Sequence, residues 1–143
     1  MQKPIKNVVI LPTEYDPNTP QDWPVVYLLH GFRGRYDTWI NKTQPDLPAA
    51  ASRMGEIIVC PDGGFSSWYW DSPIDSTMRY ETYITQELIA AIDSLYQTRP
   101  SREGRAITGY SMGGHGALYL ALRHSNIFGA CGSMSGGVAL IPF

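Results

Sequence analysis

The sequence predicts an α/β protein built on a mostly parallel sheet with helices on both faces. Three observations carry that expectation. Short apolar runs alternate with segments of helical period, as βαβ units require. Those runs are apolar at nearly every position, which is how strands buried on both faces read. A glycine-flanked serine also stands where one such run meets a helical pattern.

Taken in order, "NVVIL" (7–11) and "VVYLL" (25–29) are β-branched runs separated by the turn-rich "PTEYDPNTPQDWP". They are expected to pair as an antiparallel ribbon entering the sheet. A short helix is expected over 47–54, closed by Gly55. "IIVC" (57–60), "RAITGY" (105–110) and "GACGSMS" (129–135) are the parallel strands that follow. In "MRYETYITQELIAAIDSLYQT" (78–98), Ile84, Leu88, Ile92 and Leu95 recur at helical spacing, with Glu81, Gln86, Asp93 and Gln97 mostly on other faces. That spacing predicts a helix with one buried stripe, stopping before Pro100. The final helix should run from Met112 to Arg123.

A chain of 143 residues buries roughly two-thirds of its unfolded surface, enough for one core, and the expectation is a single domain over 1–143. With 43% hydrophobic and 17% charged residues and a net charge of −2, the chain has no basic footprint for nucleic acid. No apolar run approaches the roughly 20 residues of a membrane span, so no membrane partner is expected and the chain reads as soluble. Secreted, periplasmic and cytoplasmic locations all remain open. Cys60 and Cys131 lie in apolar runs and are expected to be buried free thiols, and their spacing supports no metal site.

The chemistry is carried by "ITGYSMGGHGALYLAL" (107–122). A serine between Gly109 and Gly113, after a strand and before a helix, is presented clear of the sheet at the carboxyl ends of its strands. Gly109 and Gly113 remove side chains that would clash in so tight a turn, and Gly114 and Gly116 let the helix pack closely. Ser111 is the candidate nucleophile, against the alternative of a tight-turn serine. The backbone N–H of Met112, at the helix N-terminus, is a candidate oxyanion donor. A second signal, "YLLHGFRGRYDTW" (27–39), leaves a buried strand into a glycine-bearing loop, where hydrolases with this elbow place their other oxyanion donor. Phe32 is the candidate, and His30 is read as a packed strand-end residue. A third, "GGFSSWYWDSP" (63–73), is a glycine- and tryptophan-rich loop. Trp68, Tyr69 and Trp70, with Tyr110, are candidates for a substrate pocket; a loop pinned by its own aromatics is the alternative.

In that order and spacing, "YLLHGFRGRYDTW", "WYWDSP" and "GYSMGGHGALYLAL" resemble an esterase family of α/β-hydrolases. It includes S-formylglutathione hydrolases (esterase D-like enzymes), feruloyl and acetyl xylan esterases, tributyrin esterases and mycolyltransferases. The likeness covers essentially the whole chain. It implies the α/β-hydrolase fold, Ser111 as the acylated nucleophile, an oxyanion hole from the N–H groups of Phe32 and Met112, and no metal or organic cofactor. The reaction implied is acyl transfer to water through an acyl-enzyme. The aromatic loop favours acyl, feruloyl or acetyl esters of carbohydrates. A glutathione thioesterase, kept open by Arg33 and Arg35 on the oxyanion loop, and a non-catalytic carbohydrate- or acyl-binding module are the alternatives.

In this fold the triad follows the chain order serine, acid, histidine. No Asp or Glu follows Ser111, and the two later histidines are His115 and His124. His115 lies one helical turn after Ser111, on the helix that must pack against the sheet, and is read as structural. His124 is roughly 18 Å along the same helix at 1.5 Å per residue. The expectation is therefore that the acid and base lie outside this chain, which would be the N-terminal part of a longer hydrolase. It would stop after the strand that follows the nucleophile helix, with little activity of its own. The run 129–135 would then form an open sheet edge through which the chain self-associates.

Overall fold

The computed structural model describes residue 1 and residues 3–138. Five strands form one sheet: β1 (Asn7–Ile10), β2 (Val25–Leu29), β3 (Ile57–Pro61), β4 (Arg105–Tyr110) and β5 (Ala130–Met134), in the order β1-β3-β2-β4-β5. Strands β2 to β5 run parallel, and β1 is antiparallel.

Because side chains alternate across a strand, the central strands feed two cores. Val25, Tyr27 and Leu29 of β2, Ile57 and Val59 of β3, and Ile107 of β4 enter one. Leu28, Ile58 and Cys60 enter the other with Ile10. The second face is covered by α1 (Leu47–Met54), through Leu47 and Ala51, and by Trp39. Gly55 closes α1 in the left-handed region, at φ 67°.

Two longer helices cover the first face. One starts as α2 (Tyr80–Thr82), widens over Tyr83–Leu88 and ends as α3 (Ile89–Leu95). Its Ile84, Leu88 and Ile92 are buried. The other is α4 (Met112–Arg123), which buries Met112, Ala117 and Leu120. The expected mostly parallel sheet with helices on both faces is the observed architecture.

Four expectations are corrected. First, β1 pairs with β3, not β2, because β3 and β4 occupy both edges of β2. Second, Cys131 is exposed while Cys60 is buried. Among the described residues β5 has a neighbour on one edge only, and four of its five residues are exposed. Burial pushes the Cys60 thiol up to about 12, which leaves it inert. Third, Leu95 is 71% exposed; it is the last residue of α3, and Tyr96 leaves in an extended conformation. Fourth, Glu81, read with Gln86, Asp93 and Gln97 as mostly away from the buried stripe, is itself buried. There it accepts bonds from Arg123 Nε (2.8 Å), His124 Nε2 (2.8 Å) and the Tyr119 hydroxyl (3.2 Å), tying α2 to α4. Of the apolar stretch 136–143, residues 139–143 lie outside the described residues.

What places the strand-to-helix turn is backbone contact. A Cβ on Gly113 would lie 2.2 Å from the Leu29 carbonyl oxygen, and one on Gly109 would lie 2.6 Å from the same oxygen. Neither obstacle is the flexible end of a side chain, so relief requires β2 and α4 to separate. Gly113→Ala is expected to cost about 2 kcal/mol or more of stability, as overpacking does. Gly132→Ala on β5, whose nearest obstacle is the Thr108 hydroxyl at 3.1 Å, should cost less than half as much. Urea unfolding of the two variants checks this; equal midpoints would show that β2 and α4 are not in enforced contact.

Candidate active site

Ser111 is the single residue between the end of β4 and the start of α4, at φ 54° and ψ −120°. Its N–H donates to the Met134 carbonyl (2.9 Å), and its carbonyl accepts from the His115 N–H (3.0 Å). With both backbone groups bound, the exposed side chain is held out at the carboxyl end of the sheet. A non-glycine residue with positive φ carries strain of order 1 kcal/mol and persists only where its surroundings impose it. Met112 is the first helical residue, so its N–H has no intrahelical acceptor and lies at the positive end of the α4 dipole.

The loop after β2 reaches the same point. A Cβ on Gly31 would lie 3.4 Å from the Ser111 Cβ and 2.9 Å from the Tyr110 ring, so Gly31 packs directly against the elbow. Gly34 N–H donates to the Gly31 carbonyl (3.0 Å), and Arg33 N–H, at φ 67°, donates to the Phe65 carbonyl (2.9 Å). The N–H of Phe32, between these ties, donates to no acceptor among the described residues. Gly31, the residue before Phe32, is thus seated directly against the turn that carries Ser111.

The aromatic loop underlies both. Tyr69 is fully buried, its hydroxyl donates to the His30 carbonyl (2.9 Å), and its ring fills the space that glycine leaves at Gly116. It supports the site from below and does not line a surface. Trp70 is exposed at its rim and donates its indole N–H to His115 Nε2 (3.0 Å). Half-buried Trp68 packs edge-on against the same imidazole, at 5.3 Å between centroids. Tyr110, half-buried at the end of β4, meets Trp39 edge-on at 5.2 Å and borders Gly31. Tyr69 and His115 pin the loop, while Trp70 is exposed.

Each histidine has partners of its own. His30 is buried, donates from Nδ1 to the Gly31 carbonyl (2.8 Å) and accepts the Gly63 N–H at Nε2 (2.8 Å). His115 donates from Nδ1 to the Gly137 carbonyl (2.8 Å) and accepts from Trp70 at Nε2. His124 is engaged by Glu81. Neither His30 nor His115 has a ring nitrogen left for Ser111. Among the described residues, no group of three His, Cys, Asp or Glu side chains could hold a metal ion. Sequence reasoning missed Phe65, whose carbonyl holds Arg33 and whose ring meets Phe32 at 5.2 Å. Its only sequence signal was membership of a glycine-rich loop.

Residues 1–142 match the family model described as "Putative esterase". The Mycobacterium tuberculosis esterase Rv1288 is 35% identical over 137 residues, covering 92% of this chain and 29% of that protein. Among solved structures, a ferulic acid esterase superposes with a TM-score of 0.79 at 33% identity, covering 91% of this chain and 51% of that one. An S-formylglutathione hydrolase from Agrobacterium tumefaciens does so with 0.75 at 26%, covering 89% and 50%. The chain therefore spans less than a third of that curated relative and about half of each solved one.

His115 gives this site a pH signature. Burial lowers its pKa from the ordinary 6.5, and the Gly137 bond opposes that only in part. The unfolded chain therefore takes up a proton near pH 6.5 that the folded chain refuses until lower pH. Stability contributed by neutral His115 is complete above about pH 6.5 and is lost as pH falls below it. Urea midpoints of the wild type should drop between pH 7.5 and 5.5 more steeply than those of His115→Gln. Parallel profiles would show that the imidazole stays solvated.

Proposed function

This chain belongs to that esterase family, and on that premise we propose that it carries the nucleophile and oxyanion donors of a serine carboxylesterase. The observation that carries the reading is Ser111: exposed, alone between β4 and α4, and held at φ 54°. The reading is supported by Met112 and Phe32, whose N–H groups donate to no acceptor among the described residues, one at the start of α4 and one next to Gly31, which packs on Ser111. An ester carbonyl attacked by the Ser111 Oγ would develop its negative charge where those two N–H groups can bond it. The alcohol would leave and water would release the acyl group. Esters joining acyl, acetyl or feruloyl groups to carbohydrates are the proposed substrates. The exposed Trp70 indole face and the half-buried Tyr110 ring are the apolar surfaces that would receive them.

The base and acid are proposed to lie in sequence following these 143 residues within the same domain. His30 and His115 are fully engaged elsewhere, His124 is bound to Glu81, and no carboxylate follows Ser111. The open edge of β5 is proposed to take a further strand. The 143-residue chain alone should self-associate through it, and light scattering showing a monomer at every concentration would count against that pairing.

The activity test is intact-protein mass spectrometry after exposure to a fluorophosphonate. Protein expressed with its natural downstream sequence should gain one adduct, at Ser111, and the 143-residue chain should label far more slowly. Ser111→Ala should abolish the adduct and lower ester turnover by about 10⁴-fold or more, as loss of a triad serine does. An extended protein that neither labels nor hydrolyses 4-nitrophenyl acetate would overturn the esterase reading.

A further inference from the structure

We propose that Arg33 is the specificity residue of this site and receives a carboxylate carried by the ester substrate. The proposal rests on the esterase reading and adds the charge class of the substrate. Arg33 is held in the left-handed region at φ 67°, where an arginine is strained and a glycine is not. It immediately follows Phe32, and the Phe65 carbonyl bond fixes its backbone. Its guanidinium lies over two exposed rings, 5.4 Å from the centroid of Phe32 and 5.8 Å from that of Phe65. These rings are themselves in contact. Stacking of this kind orients the planar group while leaving its N–H donors at the rim.

Charge balance decides what those donors await. Among the described residues no carboxylate lies within ion-pair distance of Arg33 or Lys42. Arg35 is already held by Asp37 through two bonds, Nε to Oδ1 at 2.9 Å and Nη2 to Oδ2 at 2.8 Å. Arg33, Arg35, Asp37, Thr38, Asn41 and Lys42 line one recess of about 310 Å³, which therefore carries an excess of positive charge. It adjoins the loop whose Gly31 packs on Ser111. A planar carboxylate matches the guanidinium fork, and Thr38 and Asn41 provide neutral hydrogen-bonding groups beside it.

The test uses protein expressed with its natural downstream sequence and two matched pairs of esters. 4-Acetoxybenzoate against its methyl ester places the carboxylate on the alcohol side; 4-nitrophenyl hemisuccinate against 4-nitrophenyl butyrate places it on the acyl side. In at least one pair the wild type should prefer the anionic member in kcat/KM over the reference ratio set by Arg33→Asn. Asparagine tolerates the left-handed backbone and removes the charge. The preference should fall about tenfold in Arg33→Asn, survive in part in Arg33→Lys, and weaken with added salt. The pair that responds identifies the side of the ester that carries the charge. Equal ratios for wild type and Arg33→Asn in both pairs would overturn the proposal while leaving the esterase reading intact.

If all four esters fail, the anion site is read directly, and the esterase reading itself falls only where the fluorophosphonate adduct and 4-nitrophenyl acetate hydrolysis are missing too. On titration of ¹⁵N-arginine-labelled protein with benzoate and with benzamide, the Arg33 Nε–H resonance, assigned from Arg33→Lys, should move with benzoate only. No movement, or equal movement with both, would reject the site.

Discussion

The Leu29 carbonyl at the end of β2 is the point on which this molecule is organised. It is so close to the turn carrying Ser111 that neither Gly109 nor Gly113 has room for a β-carbon. One backbone oxygen thereby fixes the distance from the central strand β2 to α4. The next two residues of β2's exit, His30 and Gly31, inherit that closeness. The His30 carbonyl would lie 2.7 Å from a Cβ on Gly113, and Gly31 touches the elbow itself. The loop after β2 is therefore placed against Ser111 by the same contact that permits the elbow. A site assembled from main-chain packing resists small changes at its surface, because interiors packed at crystal density do not deform smoothly.

Two imidazoles extend that constraint into the aromatic loop. His30 Nε2 takes the Gly63 N–H and so anchors the start of the loop to β2, while Tyr69 returns to the His30 carbonyl. His115 Nε2 takes the Trp70 indole N–H and so anchors the end of the loop to α4. In each ring the second nitrogen donates to a carbonyl, which fixes the tautomer in which Nε2 accepts. The rings are joints between the three loops that meet at Ser111. Their burial explains why they serve structure: a base for Ser111 would need a free acceptor nitrogen facing the serine.

Much of this was legible in the sequence because the signals were local. A run apolar at every position marks a strand buried on both faces, and a glycine after a helical period marks its end. So β2 to β5, α1 and α4 were read within a residue or two of their bounds. The partner of β1 was not legible, since alternation sets which face a residue occupies but not which strand lies beside it. Cys131 was misjudged for a related reason: its burial depends on what stands beyond β5, not on its own run. At the elbow, the tight turn around Ser111 and the close seating of Gly31 were legible from their glycines, where backbone geometry dictates residue type. Tyr69 and Phe65 sit in one loop and face opposite ways, one under α4 and one outward over Phe32. Irregular backbone has no period from which to read that difference.

Backbone strain gives an independent view of where function lies. Among the described residues, five non-glycine residues have positive φ: Arg33, Trp68, Tyr69, Ser111 and Ser135. Every one lies in a connection that leaves the carboxyl end of a parallel strand: Arg33 after β2, Trp68 and Tyr69 in the loop after β3, Ser111 after β4 and Ser135 after β5. Glycine takes the left-handed position at Gly55, in the connection that enters β3 from the opposite end, and at Gly64, in the loop that leaves β3. Each strained residue costs of order 1 kcal/mol or more, so a chain selected for stability alone would place glycine at these positions too. The strained end is the end at which parallel α/β sheets receive ligands. It is also the end where hydrogen bonds from β2, α4 and the aromatic loop are dense enough to hold such conformations. Strain at Ser111 turns the hydroxyl outward, and strain at Trp68 and Tyr69 sends one ring under α4 and the next residue's ring to the rim. At Arg33 it puts a guanidinium over two aromatic faces. Rigidity below the loops and strain within them are thus two sides of one arrangement, in which the sheet holds side chains where an unsupported loop would not keep them.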